Sequence, residues 1–496
     1  MIWSTPNTCQ QVGPNHLPKI CVDPRSSVAK PSCPLRPSAP SAVKLLPFTG
    51  DWQLTTAFCH FLVIKTSFFP AVFYNVQMSC RVVITGFGSL SPNGLGNTEF
   101  CRALLAGKSG VGRITRFDPD GLPVNIAGEL KNFDELAWMD AHERKHVSRA
   151  VPMAIAAATE ALKNAGFDSA IIANLSMEQR RKIGVLLGSG GGSQDFTEEQ
   201  YRLFYSGKVK QVSLFTIPSG TMGTMSSEVS MRFGFRGPSQ VVTSGCTSST
   251  DALGYAYRQL QAGVLPMMLC GGVDSPLAYG IMKAFTLMRI LTAAWNHAPE
   301  RGSRPFSADR DGFVLAEGAW MFMLEEYEHA RARGAKIYAE IAGYGSTCEA
   351  FHRVRLAECG EEPARAISTA LEEARIAPHN VDYVNLHGTS TELNDRIETR
   401  ALKLALGGQA YKAPMSSLKS QIGHPQGACG AGGVAATLIA MEHGQLPPTI
   451  NLDKPDPECD LDYVPQPGRK MKVEHAVCNC IAFGSKNSAL VLRKIS

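Results

Sequence analysis

Cys246 closes the run Ser239-Gln240-Val241-Val242-Thr243-Ser244-Gly245-Cys246, in which a β-branched segment ends in a Ser-Gly turn. Beyond it, Ala252, Leu253, Ala256, Tyr257 and Leu260 recur at helical spacing across residues 249–261. A cysteine between a strand and the first turn of a helix meets unpaired backbone N–H groups and the positive end of the helix dipole, both of which favour its thiolate. That is the placement of a nucleophile, although the segment alone fits a buried structural thiol equally well. Two histidines shift the balance. His387, in Asn385-Leu386-His387-Gly388-Thr389-Ser390-Thr391, and His424, in Leu418-Lys419-Ser420-Gln421-Ile422-Gly423-His424-Pro425, each end an apolar run at a glycine-flanked turn. A single histidine is ordinarily a hydrogen-bonding residue, but two of them with an elbow cysteine form a catalytic pattern.

Positioning three such groups requires an ordered scaffold, and the chain from Met78 onward alternates short β-branched runs with helical ones, the mark of an α/β architecture. The pattern also repeats. Val82-Val83-Ile84-Thr85-Gly86-Phe87-Gly88-Ser89 is echoed by Ala339-Glu340-Ile341-Ala342-Gly343-Tyr344-Gly345-Ser346. An alanine-rich helix follows each (154–165 and 364–374), then a strand and glycine turn (183–190 and 381–388), then an elbow, at Cys246 in one half and at 419–424 in the other. Two matched halves are implied.

At 496 residues and 44% hydrophobic composition the chain can bury a core large enough for one large or two ordinary domains. Its net charge of +5 does not mark a nucleic-acid-binding protein. Residues 1–78 hold six Lys/Arg against two acidic residues, which leaves the remainder near neutral, without a basic stripe interleaved with aromatics. The 14 cysteines are scattered without metal-ligand spacing, and Cys478 and Cys480 are too close together for an ordinary metal knuckle, so a reducing compartment fits. Residues 1–50, rich in proline, serine and threonine, read as disordered. Residues 52–77 are more apolar, but His60, Lys65 and Pro70 interrupt them, and no membrane span is expected. Two readings of residues 1–77 stand: a transit peptide to an organelle, or sequence upstream of a true start at Met78 in a cytoplasmic protein, the second being preferred.

With the Thr85-Gly86-Phe87-Gly88 opening, the Cys246 elbow, Arg304-Pro305-Phe306 followed by Asp309-Arg310-Asp311-Gly312-Phe313, and the two histidine motifs in order, the chain resembles the type II β-ketoacyl-acyl carrier protein synthases over residues 79–496. These are the decarboxylating condensing enzymes of fatty acid and polyketide synthesis. The resemblance implies a thiolase-like fold: duplicated halves, here 78–330 with Cys246 and 331–496 with His387 and His424, in a five-layer α-β-α-β-α sandwich. It implies that Cys246 carries the acyl group, with its own N–H and that of the gating Phe483 binding oxyanions. His387 and His424 would stabilise the enolate, and a Lys419–Glu317 pair would set the site's field. Thr389 and Thr391 would hold the phosphopantetheine arm, while Thr221 and Met222, in the segment 218–225, would wall the acyl pocket. The insertion 194–212 would help build a homodimer interface and that pocket. Arg144, Lys145 and Arg149 would meet acyl carrier protein. No metal or cofactor is required beyond the carrier's phosphopantetheine.

The implied reaction is condensation with malonyl-acyl carrier protein in fatty acid elongation. A specialised polyketide or polyene pathway is the alternative; a coenzyme A thiolase and a non-catalytic chain-length partner fit less well, the last because it lacks the cysteine. This chain departs from the family pattern at Ile481, Ala482 and Ser485, where the gate usually reads Phe-Gly-Phe-Gly-Gly, and at Gly220 and Thr221. Replaced glycines restrict the backbone, so gating and acyl length are the properties those positions leave open.

Overall fold

The β-branched run after Arg81 forms strand β1 (Val82–Ser91), buried at every residue, as a strand covered on both faces must be. Residues 80–495 are described by a computed structural model; the extension expected over residues 1–77 lies outside them. Helix α1 (Ala150–Asn164) follows, then strands β2 (Ile183–Gly188) and β3 (Ser239–Val242), helix α2 (Ser248–Gln261), and strands β4 (Met267–Asp274) and β5 (Gly318–Glu326). The second half runs β6 (Ala339–Cys348), α3 (Glu361–Ala374), β7 (Tyr383–Asn385), α4 (Glu392–Leu406), β8 (Met415–Ser416), α5 (Cys429–His443), β9 (His475–Ala482) and β10 (Lys486–Arg493).

The duplication read from the chain is present in the hydrogen-bond ladder. The first half orders its strands β3-β2-β4-β5-β1 and the second β8-β7-β9-β10-β6, the same order when each half is counted from its own first strand. The directions agree too. β2 is parallel to β3 and β4 while β4–β5 and β5–β1 are antiparallel; β7 is parallel to β8 and β9 while β9–β10 and β10–β6 are antiparallel. Antiparallel pairing of Val82, Val83 and Ile84 with Ile341, Glu340 and Ala339 joins the two halves.

Helix α1 covers β1 and β5 on one outer side, and α3 covers β6 and β10 on the other. Helices α2 and α5 touch strands of both halves and so form the middle layer of a thiolase-like α/β fold. Their compositions reflect that place. Helix α5 is apolar around its circumference, with Ala431, Val434, Ala435, Leu438, Ile439 and Met441 all buried, which suits a helix enclosed on every side. The mixed sheet follows from the connections: βαβ crossovers make the parallel pairs, and the short turn at residues 483–485 makes β9–β10 an antiparallel hairpin.

One edge of the sheet is bare. Strand β3 has no further neighbour among the described residues, and Ser239 and Gln240 on it are exposed. The insertion 194–212 is helical over Gln194–Tyr205. It and the segment that follows expose Tyr205 (80%), Leu214 (92%) and Ile217 (72%).

Candidate active site

The elbow expected before α2 is built as a tight turn in which Gly245 takes φ +77°, a conformation that costs glycine little. Ser248 Oγ accepts the Ser244 N–H at 2.9 Å, and the Ser248 N–H donates to the Gly245 carbonyl at 3.1 Å. Cys246 is thereby fixed two residues ahead of α2, buried, with its sulfur at the helix's positive end. The Phe483 backbone N–H also hydrogen-bonds to this sulfur.

His424 reaches it from the other half. Its Nε2 lies 3.2 Å from Cys246 Sγ, on a turn held by the His424 N–H to the Val314 carbonyl at 2.7 Å and the Ala316 N–H to the His424 carbonyl at 3.0 Å. His424 Nδ1 is buried without a partner among the described residues. An orphaned buried N–H costs more than an unused lone pair. The proton therefore belongs on Nε2, which donates toward sulfur.

His387 stands edge-on to His424, ring centroids 5.4 Å apart at 87°. Its backbone N–H and that of Gly388 both donate to the Glu398 carboxylate at 2.7 Å, and Asn479 Nδ2 donates to the same group at 2.7 Å. Lys419 Nζ lies 2.7 Å from the His387 carbonyl and 3.2 Å from Nδ1. An ammonium can only donate, so Nδ1 is the acceptor and Nε2 carries the proton. Burial and the Lys419 charge both oppose protonation and bring the His387 pKa down to about 3. Burial likewise lowers the pKa of His424. Both rings are neutral near pH 7, each with an Nε2–H to offer. Burial, and the neighbouring Cys429, push the Cys246 thiol up, while the Lys419 charge and the Phe483 N–H draw it down.

These groups open onto one cavity of about 260 Å³, lined by Cys246, His387, His424, Thr389, Thr391 and Phe483. The Thr389 and Thr391 hydroxyls are 2.8 Å apart at its wall. Behind them Asp395 accepts the Thr389 and Phe306 N–H groups at 3.0 and 2.9 Å and faces buried Arg310 at 3.4 Å. The Arg304 and Arg310 motifs thus brace the threonine loop.

The departure at Ser485 has a structural counterpart. Ser485 takes φ +65°, and its hydroxyl donates to the His352 carbonyl at 3.0 Å and accepts the His352 N–H at 3.2 Å. Gly484 N–H donates to the Arg353 carbonyl at 2.9 Å. The turn after Phe483 is tied in this way to the segment whose Val354, Arg355 and Leu356 form part of the cavity wall.

Several expected placements are corrected. Glu317 does not pair with Lys419; it is buried against Arg149 through Nε–Oε2 2.9 Å and Nη2–Oε1 3.0 Å and accepts the Leu130 N–H at 2.8 Å. Arg149, 4% exposed, is therefore part of the interior and not of a docking surface. Arg144 is engaged by Glu135 and by the Val147 carbonyl. Only Lys145 of the three is exposed. Thr221 and Met222 do not line the cavity: Thr221 is exposed, and Met222 Sδ lies 3.1 Å from Thr243 Oγ1. No residue of the insertion 194–212 lines it either. Not expected from the sequence are the hold of Glu398 on the His387 turn and the closeness of Cys429 and Cys480 to each other beside His387. Glu398 had a signal, since an acidic residue eleven positions after His387 on the helix that follows can fold back on that turn.

Two family models match the chain. The β-ketoacyl synthase N-terminal domain matches residues 79–330 and the C-terminal domain residues 338–453. The chain belongs to the β-ketoacyl synthase family. It is similar to 3-oxoacyl-[acyl-carrier-protein] synthase 2 of Synechocystis sp., 39% identical over 84% of this chain and 98% of that one. It is also similar to the ketoacyl synthase alpha subunit of the tetracenomycin polyketide synthase of Streptomyces glaucescens, 38% identical over 84% and 97%. Among solved structures it matches a type II polyketide ketosynthase in complex with its acyl-carrier protein and bound to the hexaketide, with TM-score 0.75 and 32% identity over 84% of this chain and 100% of that one. The family's activity, β-ketoacyl condensation by an acyltransferase, is accordingly this chain's. No helix among the described residues is long and apolar enough to cross a membrane.

If Lys419 holds His387 in its neutral Nε2–H form, Lys419→Met will raise the His387 pKa, read by NMR of the ring protons against pH. An unchanged titration would show that burial alone sets it. In the wild-type protein the contribution of His387 to stability is whole above pH 6.5, its ordinary value, and is lost as the pH falls toward 3. Urea unfolding across that window should show a shallower pH slope for His387→Gln.

Proposed function

We propose that the protein joins an acyl group carried on Cys246 to the two-carbon unit of malonyl-acyl carrier protein, in fatty acid elongation. The observation that carries this reading is the meeting of Cys246 Sγ, His424 Nε2 at 3.2 Å and the His387 ring in one cavity. Cys246 thiolate attacks the thioester carbonyl of an acyl carrier; the Cys246 and Phe483 N–H groups receive the oxyanion, and the carrier thiolate leaves and takes a proton. The malonyl thioester carbonyl then accepts the two Nε2–H bonds. Its carboxylate departs as carbon dioxide, the electron pair of the broken C–C bond forms an enolate, and the enolate carbon attacks the Cys246 thioester. Collapse expels the Cys246 thiolate and yields 3-oxoacyl-acyl carrier protein.

Neutral imidazoles suit this work because they donate to developing negative charge without presenting an ionic partner to the substrate carboxylate. Thr389 and Thr391, whose hydroxyls are 2.8 Å apart at the cavity wall, would hydrogen-bond the pantetheine amides. Support for the carrier as partner comes from the solved relative in complex with its acyl-carrier protein. Support for a homodimer comes from the bare strand β3, an unpaired edge of the kind proteins normally cover, and from the exposed Leu214 and Ile217. A polyketide pathway is the second reading, favoured by the near-equal identity to the tetracenomycin ketoacyl synthase.

Incubation with acyl carrier thioesters of graded length, followed by intact mass, should place an acyl adduct on Cys246 and none on Cys246→Ala. The length that loads fastest separates the two pathways. His387→Ala should load normally but decarboxylate malonyl carrier about 10²–10³-fold more slowly; equal loss of both steps would mean a collapsed site. Lys145→Glu should raise KM several-fold for carrier-bound substrate and leave a small thioester mimic untouched, whereas equal effects on both would remove Lys145 from the docking surface. By light scattering the wild-type protein should have twice the chain mass and Leu214→Asp/Ile217→Asp should shift to monomer; a monomeric wild type would reject the dimer.

A further inference from the structure

Behind the reacting sulfur lies a second set of soft donors that the condensation does not use. Cys429, the first residue of α5, and Cys480, on β9, are buried with sulfurs 3.6 Å apart. Both S–H groups donate to the Cys246 carbonyl, at 3.3 and 3.1 Å. Cys480 Sγ lies 3.5 Å from His387 Nδ1, and all three donor atoms fall within 4.8 Å of one another. Spacing along the chain hid this arrangement: Cys478, the near neighbour of Cys480, is turned to Thr437, and the true partner is 51 positions away.

The distances suit coordination. A metal–thiolate bond of roughly 2.3 Å places two sulfurs on one ion about 3.7–4 Å apart, close to the separation present before any ion enters. Two thiolates and an imidazole are the donor set of a soft cation. The charge of that cation is selected by Lys419, whose ammonium lies 3.2 Å from the same Nδ1. A divalent ion with two thiolates is already neutral and would leave the buried ammonium uncompensated. A monovalent ion with two thiolates carries one negative charge, which Lys419 balances.

The geometry points to a binding site for a soft monovalent cation, copper(I) by chemical class, formed by Cys429 Sγ, Cys480 Sγ and His387 Nδ1. On binding, the two thiols each lose a proton to solvent as two metal–sulfur bonds and one metal–nitrogen bond form, with no change of oxidation state. Lys419 gives up Nδ1 and keeps the His387 carbonyl, at 2.7 Å. The Cys246 carbonyl loses both S–H donors, so the ion acts on the reacting segment without touching its sulfur.

The test is anaerobic titration of the fully reduced, full-length protein with copper(I), supplied as its acetonitrile complex in competition with a chromophoric copper(I) chelator, together with X-ray absorption at the copper edge. One ion per chain is expected, with two sulfurs and one imidazole nitrogen around it. Cys246→Ala should retain it, and Cys429→Ala/Cys480→Ser should weaken binding at least tenfold while keeping the wild-type circular dichroism. Absence of a bound ion overturns the proposal, as does binding that needs Cys246 and survives the double variant. The absorption spectrum of the wild type decides by itself if the double variant does not fold: a coordination shell with fewer than two sulfurs, or without imidazole, rejects the site.

Discussion

Backbone meets backbone where the two halves face each other, and the distance of that approach governs everything at the site. A Cβ added to Gly427 would sit 2.2 Å from the Gly190 nitrogen, and one added to Gly190 would sit 2.8 Å from the Gly427 nitrogen. Neither position has room for a side chain. Gly190 follows β2 in the half that carries Cys246, and Gly427 precedes α5 in the half that carries His424. Their contact lets a cysteine ahead of one central helix and a histidine ahead of the other come within 3.2 Å. Buried Asp274 reinforces the junction by accepting the Gly190 and Gly191 N–H groups at 2.8 and 2.9 Å. Burial raises its pKa to about 6 despite these bonds, because the interior disfavours the charged carboxylate.

The duplication gives this convergence its direction. Because each half orders its strands alike, α2 and α5 enter the middle layer in equivalent ways, and the N-terminal ends of both lie beside the reacting atoms. The two helix dipoles thereby bring two positive ends to one place. Glu398 completes the frame from α4, fixing the backbone through the His387 and Gly388 N–H groups and so aiming the ring that Lys419 has already set in one tautomer.

Local chemistry was legible in the chain, and distant pairing was not. The Cys246 elbow and the repeated strand–helix order could be read because turn glycines and hydrophobic periodicity act within a dozen residues. Glu317 shows the limit. The family resemblance implied a pair with Lys419, but Arg149, 168 positions earlier, engages it with a bidentate fork, and no local pattern encodes that choice. The same holds for Arg149 itself, which reads as a surface charge among Arg144 and Lys145 and is interior. Thr221 and Met222 were placed by likeness of segment, but which side of a helix faces a cavity depends on packing that the segment does not contain.

Ser485 has an effect beyond its own turn. With its hydroxyl on both the N–H and the carbonyl of His352, and Gly484 on the Arg353 carbonyl, the hairpin turn and the wall segment form one mechanical piece. Were Phe483 to swing and shift this turn, those three bonds would have to break or Val354 and Leu356 would have to move with it. Whatever packs against Val354 and Leu356 therefore bears on the same three bonds that hold the turn after Phe483.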